Sequence, residues 1–307
     1  MSKNKLLIIG GSGFIGRYIA REALKKKYNV TILHFSKKKK NFLNNISYIN
    51  SDINDLKKIK KILKLNKFDY VINAGGYIDH SSTKTSKENI LNTHLNSITF
   101  IVDLLSEQIQ FKKFIQISSS DVYSTSQGKS IEGNCEIPFS FYGYAKLSMD
   151  HYLTTIFKLK RFPFTSFRLF ITFGECQDSN RLIPYIITNA LRNKKIIISD
   201  PDQIRDFIYI GDISKIIVSS LKQKKVNGKI INLGSGRGVK VSKLAKIICK
   251  KLNFNKLVLK TNKDGNIKRK SVADISLARK ILNWKPKNKL IQDIDKTILY
   301  YKKTNSS

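Results

Sequence analysis

Acid is what this chain has least of. Only 22 Asp and Glu residues stand against 57 Lys and Arg, a formal net charge of +35 at pH 7. Cysteine is scarce too: Cys135, Cys176 and Cys249 are odd in number and far apart. That spacing offers neither a disulfide framework nor a zinc-binding pattern, so a reducing cytoplasm is expected. The four histidines, His34, His80, His94 and His151, fall into no ligand motif, and no metal is expected. No apolar run approaches the roughly 18 residues needed to span a bilayer, so a membrane is not expected as a partner. The run Leu6-Leu7-Ile8-Ile9 after Lys5 is too short for a secretory leader, and no small-residue cleavage site follows it.

Arginine is rare within the basic set, ten of the 57 cations, although Arg is the usual reader of bases. The lysines are spread over the whole length, among many Asn and Ile residues. They read as a solvated Lys-rich surface, and no nucleic-acid partner is expected. The charge still favours a polyanionic substrate. What is present suits a folded protein: 307 residues, 41% of them hydrophobic. That length accommodates a nucleotide-binding domain with a substrate lobe, or one large α/β domain.

Short apolar runs alternate with helical periodicity through the first half. Strands are expected at 5–9, 29–34, 46–50, 68–74, 111–118 and 164–170, with helices at 14–27, 53–65, 88–108 and 142–159. Such alternation predicts an α/β protein, a Rossmann-type doubly wound parallel sheet. After about residue 174 the segments shorten. Residues 1–174 are read as the Rossmann domain and 175–307 mainly as a smaller C-terminal α/β substrate lobe. A strand near Ile208 or near Ile230 is expected to return to the first sheet. The polar tail 302–307 is expected to fray.

Gly10-Gly11-Ser12-Gly13-Phe14-Ile15-Gly16 follows the first strand and opens the first helix, the context of a dinucleotide fingerprint. Gly10 allows the tight turn, Gly13 the approach of a pyrophosphate, and Gly16 close packing of helix on strand. Phe14 and Ile15 lie at the helix N-terminus, which offers N–H groups and a positive dipole end to phosphate. The second strand ends in His34-Phe35-Ser36-Lys37, without the carboxylate that holds the ribose of NAD. His34, Ser36 and Lys37 stand where a 2′-phosphate would lie, so NADP(H) is the preferred cofactor, with NAD(H) possible. Asp52-Ile53 after the third strand suits adenine, with Asp52 alternatively a helix cap. Ala74-Gly75-Gly76 after the fourth is small enough for close approach to a cofactor.

Tyr142 and Lys146, four apart, share one helix face. An ammonium beside a phenol stabilises the phenolate and lowers its pKa, which describes a proton-transfer group. Ser118-Ser119-Ser120-Asp121 ends the fifth strand at the edge where such sheets bind ligands.

With these motifs in order, and with Arg205-Asp206-Phe207 and Asn232-Leu233-Gly234 beyond them, the chain resembles an extended short-chain dehydrogenase/reductase of the NAD-dependent epimerase/dehydratase family, which acts on nucleotide sugars. The resemblance covers nearly the whole chain. It implies Tyr142 as acid/base, Lys146 as the ribose-binding group that lowers the Tyr142 pKa, and Ser119 as hydrogen-bonding partner of the reacting oxygen. It also implies substrate contacts from Ser120, Asp121 and Arg205, with Asp206 orienting Arg205. Ser118 is expected to face elsewhere, and Tyr144 to be a core or substrate-wall aromatic. A nucleotide-diphosphate sugar is the implied substrate and a homodimer the implied assembly.

Four activities fit the resemblance. The favoured one is NADPH-dependent reduction of a 4-keto group on a nucleotide-linked 6-deoxysugar for surface polysaccharide, because no ribose carboxylate is present and residues 75–80, 181–187 and 203–208 are similar to deoxysugar reductases. The alternative is an NAD-dependent 4-epimerase. A 4,6-dehydratase follows, kept open by Asp121, which is one methylene shorter than the Glu that such enzymes carry. Last comes a non-catalytic NADP-binding sensor, disfavoured by the complete Ser119, Tyr142, Lys146 set.

Overall fold

A computed structural model of the chain describes residues 4–35, 43–76, 83–124, 128–260 and 270–305. Its strands are β1 (Lys5–Ile9), β2 (Asn29–His34), β3 (Ser47–Asn50), β4 (Tyr70–Asn73), β5 (Lys113–Ser119), β6 (Phe164–Leu169), β7 (Ile171–Phe173), β8 (Ile196–Ile198), β9 (Ile204–Tyr209), β10 (Lys229–Leu233), β11 (Gly238–Lys240), β12 (Leu257–Leu259) and β13 (Lys270–Ser271). Among the described residues seven of them form one sheet, in the order β10-β6-β5-β4-β1-β2-β3, and every neighbouring pair is parallel. Strands such as Leu6-Leu7-Ile8-Ile9 are apolar at successive positions because a parallel sheet is covered on both faces.

The helices are α1 (Phe14–Lys25), α2 (Leu56–Asn66), α3 (Lys84–Leu91), α4 (Ser97–Ser106), α5 (Phe141–Lys160), α6 (Leu182–Leu191), α7 (Ile210–Ser220), α8 (Val241–Lys251), α9 (Ser276–Leu282) and α10 (Leu290–Asn305). One face of the sheet packs on α1, α7 and α9 through Ile19, Ile213, Ile217 and Ala278. The other packs on α2, α4 and α5 through Ile59, Ile101, Val102, Met149 and Leu153. Burial of each such aliphatic side chain contributes about 1.5–3 kcal/mol. None of the helices among the described residues is long and apolar enough to cross a membrane.

The second lobe is built on β9, which pairs antiparallel with β11 and parallel with β7 and β13, while β12 pairs with β8. Its core joins α6, α8 and α10 through Ile186, Leu244, Ile248, Ile294 and Ile298. Of the two strands considered for return to the first sheet, β10 does so, pairing with β6, and β9 does not. The expected fraying is corrected for residues 302–305, where α10 continues to Asn305 after the buried Tyr301, whose hydroxyl donates to Gln177 O; residues 306–307 lie outside the described residues.

Two helices differ from their expected form. The second starts at Leu56, because Asp55 and not Asp52 is the cap, accepting from Lys58 N at 3.1 Å. The long helix expected at 88–108 spans α3 and α4 with a π-helical turn, Asn92–Asn96, between them. Its start is set by Thr83, which accepts from Ser86 N at 3.3 Å.

Candidate active site

The glycine turn is dictated by backbone crowding. Gly10 has φ +71°, and a Cβ there would lie 2.2 Å from Gly75 Cα. A Cβ on Gly16 would lie 2.4 Å from Gly10 O. The ends of β1 and β4 thus meet backbone to backbone where the strand order reverses, the usual place for a dinucleotide. The buried Asn73 shapes the β4 end: its Nδ2 donates to Gln116 Oε1 at 3.0 Å, and its Oδ1 accepts from Gly75 N at 3.2 Å. Gly13 precedes α1 without a side-chain cap, which leaves the first helical N–H groups to a ligand. A cradle that any side chain would fill fits a dinucleotide.

At its outer end, His34 is buried and Phe35 exposed. Ser36 and Lys37 lie outside the described residues. Asp52 Oδ1 accepts from Asn54 N at 2.9 Å, an Asx turn, so its expected alternative as helix cap is corrected.

A cavity of about 1150 Å³ opens from this cradle. It brings together Gly13, Phe14, Ile15, Ala74, Gly75 and Gly76 with Ser119, Ser120, Asp121, Tyr142, Lys146 and Arg205. His34, Asp52 and Ile53 are not among its walls. His94, Asp178, Asn180 and Arg181 are; the sequence assigned His94 no role, and it pointed to 173–181 only as a stretch that sets substrate identity. Tyr144 is corrected: it is 52% exposed and lies in neither core nor cavity wall.

Ser140 caps α5, accepting from Gly143 N at 3.1 Å, and the helix carries Tyr142 and Lys146 inward. Ser119 closes β5, its Oγ accepting from Asp121 N at 3.1 Å and sharing a hydrogen bond with the Tyr142 phenol. Lys146 donates to Ile117 O at 2.8 Å, with Nζ 5.6 Å from the Tyr142 ring centroid. Burial lowers the Lys146 ammonium to about 8, opposed by the Asp150 charge. The expected lowering of the phenol is corrected. Burial, reinforced by the Asp121 charge, raises Tyr142 above its ordinary value, and the Ser119 hydrogen bond and Arg181 charge only partly offset that.

Beneath this group lies a buried charge network. Arg168 on β6 donates from Nε to Asp150 Oδ2 at 2.8 Å, and from Nη1 to Tyr123 Oη at 3.0 Å and to Glu136. Ser166 donates to Asp150 Oδ1 at 2.5 Å. Ser118 donates to Asp150 Oδ2 at 3.2 Å, so its hydroxyl is engaged below the site. Asp150 stands one turn after Lys146, and the network therefore fixes α5 against β5 and β6. Asp206 accepts from Ser235 N at 2.7 Å, Gly236 N at 2.9 Å and Ala273 N at 3.1 Å, which ties together loops of the second lobe.

Comparison with known proteins agrees with this geometry. Residues 6–234 match the model of the NAD dependent epimerase/dehydratase family. The dTDP-4-dehydro-6-deoxyglucose reductase of Escherichia coli is 27% identical, over 96% of this chain and 97% of that one. The UDP-glucose 4-epimerase of Lactobacillus helveticus is 25% identical, over 98% of each. Among solved structures, the UDP-N-acetylglucosamine 4-epimerase of Methanobrevibacter ruminantium M1, in complex with UDP-N-acetylmuramic acid, superposes with a TM-score of 0.88 at 27% identity, over 99% of this chain and 100% of that one.

Proposed function

The chain belongs to the NAD-dependent epimerase/dehydratase family, an NAD(P)-dependent enzyme of nucleotide-sugar metabolism, and within it we propose a nucleotide-sugar 4-epimerase. The observation that carries this reading is the single cavity. It joins the glycine cradle, the Ser119–Tyr142–Lys146 group and two cations, Arg181 and Arg205, in one space of about 1150 Å³. That exceeds the upper end of ordinary ligand pockets, roughly 1000 Å³, and leaves room for a hexose to present either face. Full-length likeness to two 4-epimerases supports the same reading.

The residues divide the work. Arg181 and Arg205 bind the diphosphate of the substrate, a role for which paired guanidinium groups are suited. Tyr142 Oη takes the proton of the sugar 4-hydroxyl as C4 is oxidised and returns it to the same oxygen when hydride comes back to the opposite face of C4. Ser119 holds the same oxygen, and Lys146 keeps positive charge beneath it. A nicotinamide bound against Gly75 and Gly76 supplies the hydride exchange at C4.

A 4-ketoreductase is the second reading, on two observations. No carboxylate stands at His34-Phe35, which favours NADPH. The raised Tyr142 phenol also starts protonated, the state a carbonyl reduction needs. One experiment separates the two. The protein is incubated with UDP-glucose, UDP-galactose and their N-acetyl forms without added cofactor, and with 4-keto-6-deoxy nucleotide sugars plus NADPH. Interconversion of C4 epimers, seen by proton NMR, supports the epimerase. NADPH consumption with no epimer formed overturns it in favour of the reductase.

A further inference from the structure

His94 is a buried titratable group in the cavity to which the proposed chemistry gives no part. It belongs to the π-helical turn Asn92–Asn96, is 1% exposed, and lines the cavity beside Tyr142. Its imidazole meets the Tyr142 ring edge to face, with centroids 5.2 Å apart and planes at 80°. Ring quadrupoles favour that arrangement. On the other side the imidazole abuts Gly76. A Cβ on Gly76 would lie 1.8 Å from His94 Cε1, 2.5 Å from Nε2 and 2.6 Å from Nδ1. The ring is therefore wedged between the backbone that ends β4 and the aromatic ring that carries the acid/base hydroxyl.

The helix carrying His94 also holds Tyr142 at a second point: Ile90, at the end of α3, packs with Tyr142 and Ala145. The π-helical turn inserts one residue between α3 and α4, a distortion that tends to occur at functional sites. Here it falls where the helix must reach the end of β4 and α5 at once.

The geometry points to His94 as a positioning residue, an aromatic spacer that holds the Tyr142 phenol at a set distance from the backbone of Gly75 and Gly76. No bond forms or breaks at the imidazole. Its contribution is to keep the proton-transfer oxygen in register with whatever binds against the β4 end, where a displacement of about 1 Å costs on the order of 10²-fold in rate. This inference rests on Tyr142 being the proton-transfer group, but not on the reaction being epimerisation or reduction.

The test uses full-length protein labelled with ¹³Cζ-tyrosine and the variants His94→Ala and His94→Phe. The Tyr142 resonance is identified by its loss in Tyr142→Phe. His94→Ala is expected to shift or split that resonance, and His94→Phe to keep it single. In turnover, His94→Ala is expected to lower kcat by about 10- to 100-fold with KM within about twofold, and His94→Phe to retain at least about half of kcat. An unmoved Tyr142 resonance in His94→Ala overturns the spacer. So does equal loss in the Ala and Phe variants, which would assign the effect to the imidazole's own chemistry. If no nucleotide sugar is turned over, the proposed function fails while the resonance still decides the role of His94.

Discussion

Gly143 is pressed against the Asp121 carbonyl: a Cβ built on it would lie 2.3 Å from that oxygen and 2.9 Å from Pro138 Cβ. The start of α5 is thus seated directly on the turn that follows Ser119, and the contact sets how far Tyr142 stands from Ser119.

Gly143→Ala isolates this contact. Alanine is the better helix former by about 1 kcal/mol, so weakened helicity cannot explain a loss. The methyl forces α5 off the turn, and kcat is expected to fall about 100-fold with an unchanged circular dichroism spectrum. Native turnover would show that the turn moves with the helix.

Tyr142→Phe keeps the ring and its packing on His94 but removes the hydroxyl. Turnover is expected to drop by about 10²–10⁴-fold, the range for a lost acid/base group. Calorimetric affinity for a nucleotide sugar should stay within about twofold. A variant with full turnover would remove Tyr142 from the chemistry.

Cofactor choice is tested at His34. A carboxylate introduced by His34→Asp would accept from ribose hydroxyls and repel a 2′-phosphate. The ratio of NADPH to NADH affinity, from titration of protein fluorescence, is expected to fall about tenfold, the worth of one hydrogen bond to a charged group. An unchanged ratio would move the discrimination beyond His34.

Arg168→Met leaves Asp150 and Glu136 without their shared guanidinium. Removing one partner of a buried pair costs about 3–5 kcal/mol, so the melting temperature should drop by several degrees. A variant as stable as the native protein would show that the carboxylates find other partners.

Lys113 carries a pH signature. It is buried under the end of α7 and donates to Ser220 O at 3.1 Å and Gln223 O at 2.5 Å, and burial lowers its pKa from 10.5 to about 8. Between those values the unfolded chain binds more protons than the folded one, so this group's contribution to stability rises with pH across that window. Denaturant unfolding at pH 7.5 to 10 should show native stability gaining on that of Lys113→Met. A constant difference between the two would contradict the lowered pKa.

The sheet was legible in the sequence because its strands are short apolar runs bounded by Gly, Asn or Lys, and their alternation with amphipathic helices leaves few topologies. The glycine cradle, Ser119, Tyr142 and Lys146 were legible for a related reason: each follows a strand or shares one helix face, so spacing alone brings them close. His94 and Arg181 were not. His94 reaches the cavity through a π-helical turn that periodicity does not announce, and Arg181 arrives from the other lobe at the start of α6. The phenol's acidity was misjudged because i,i+4 spacing reports nearness and not burial. Asp52 and Asp55 both precede the second helix, and only backbone geometry decides which of them caps it.

The return of β10 to the edge of β6 bears on how the chain can be divided. A fragment ending near residue 174 would contain the glycine cradle, Tyr142 and Lys146, yet it would present β6 as a bare parallel edge, the kind that recruits strands from other molecules. β10, which covers that edge, follows β7, α6, β8, β9 and α7 in the chain. The half of the chain that holds the glycine cradle, Tyr142 and Lys146 thus has those residues in place well before its sheet is complete, and the later half carries the strand that closes it.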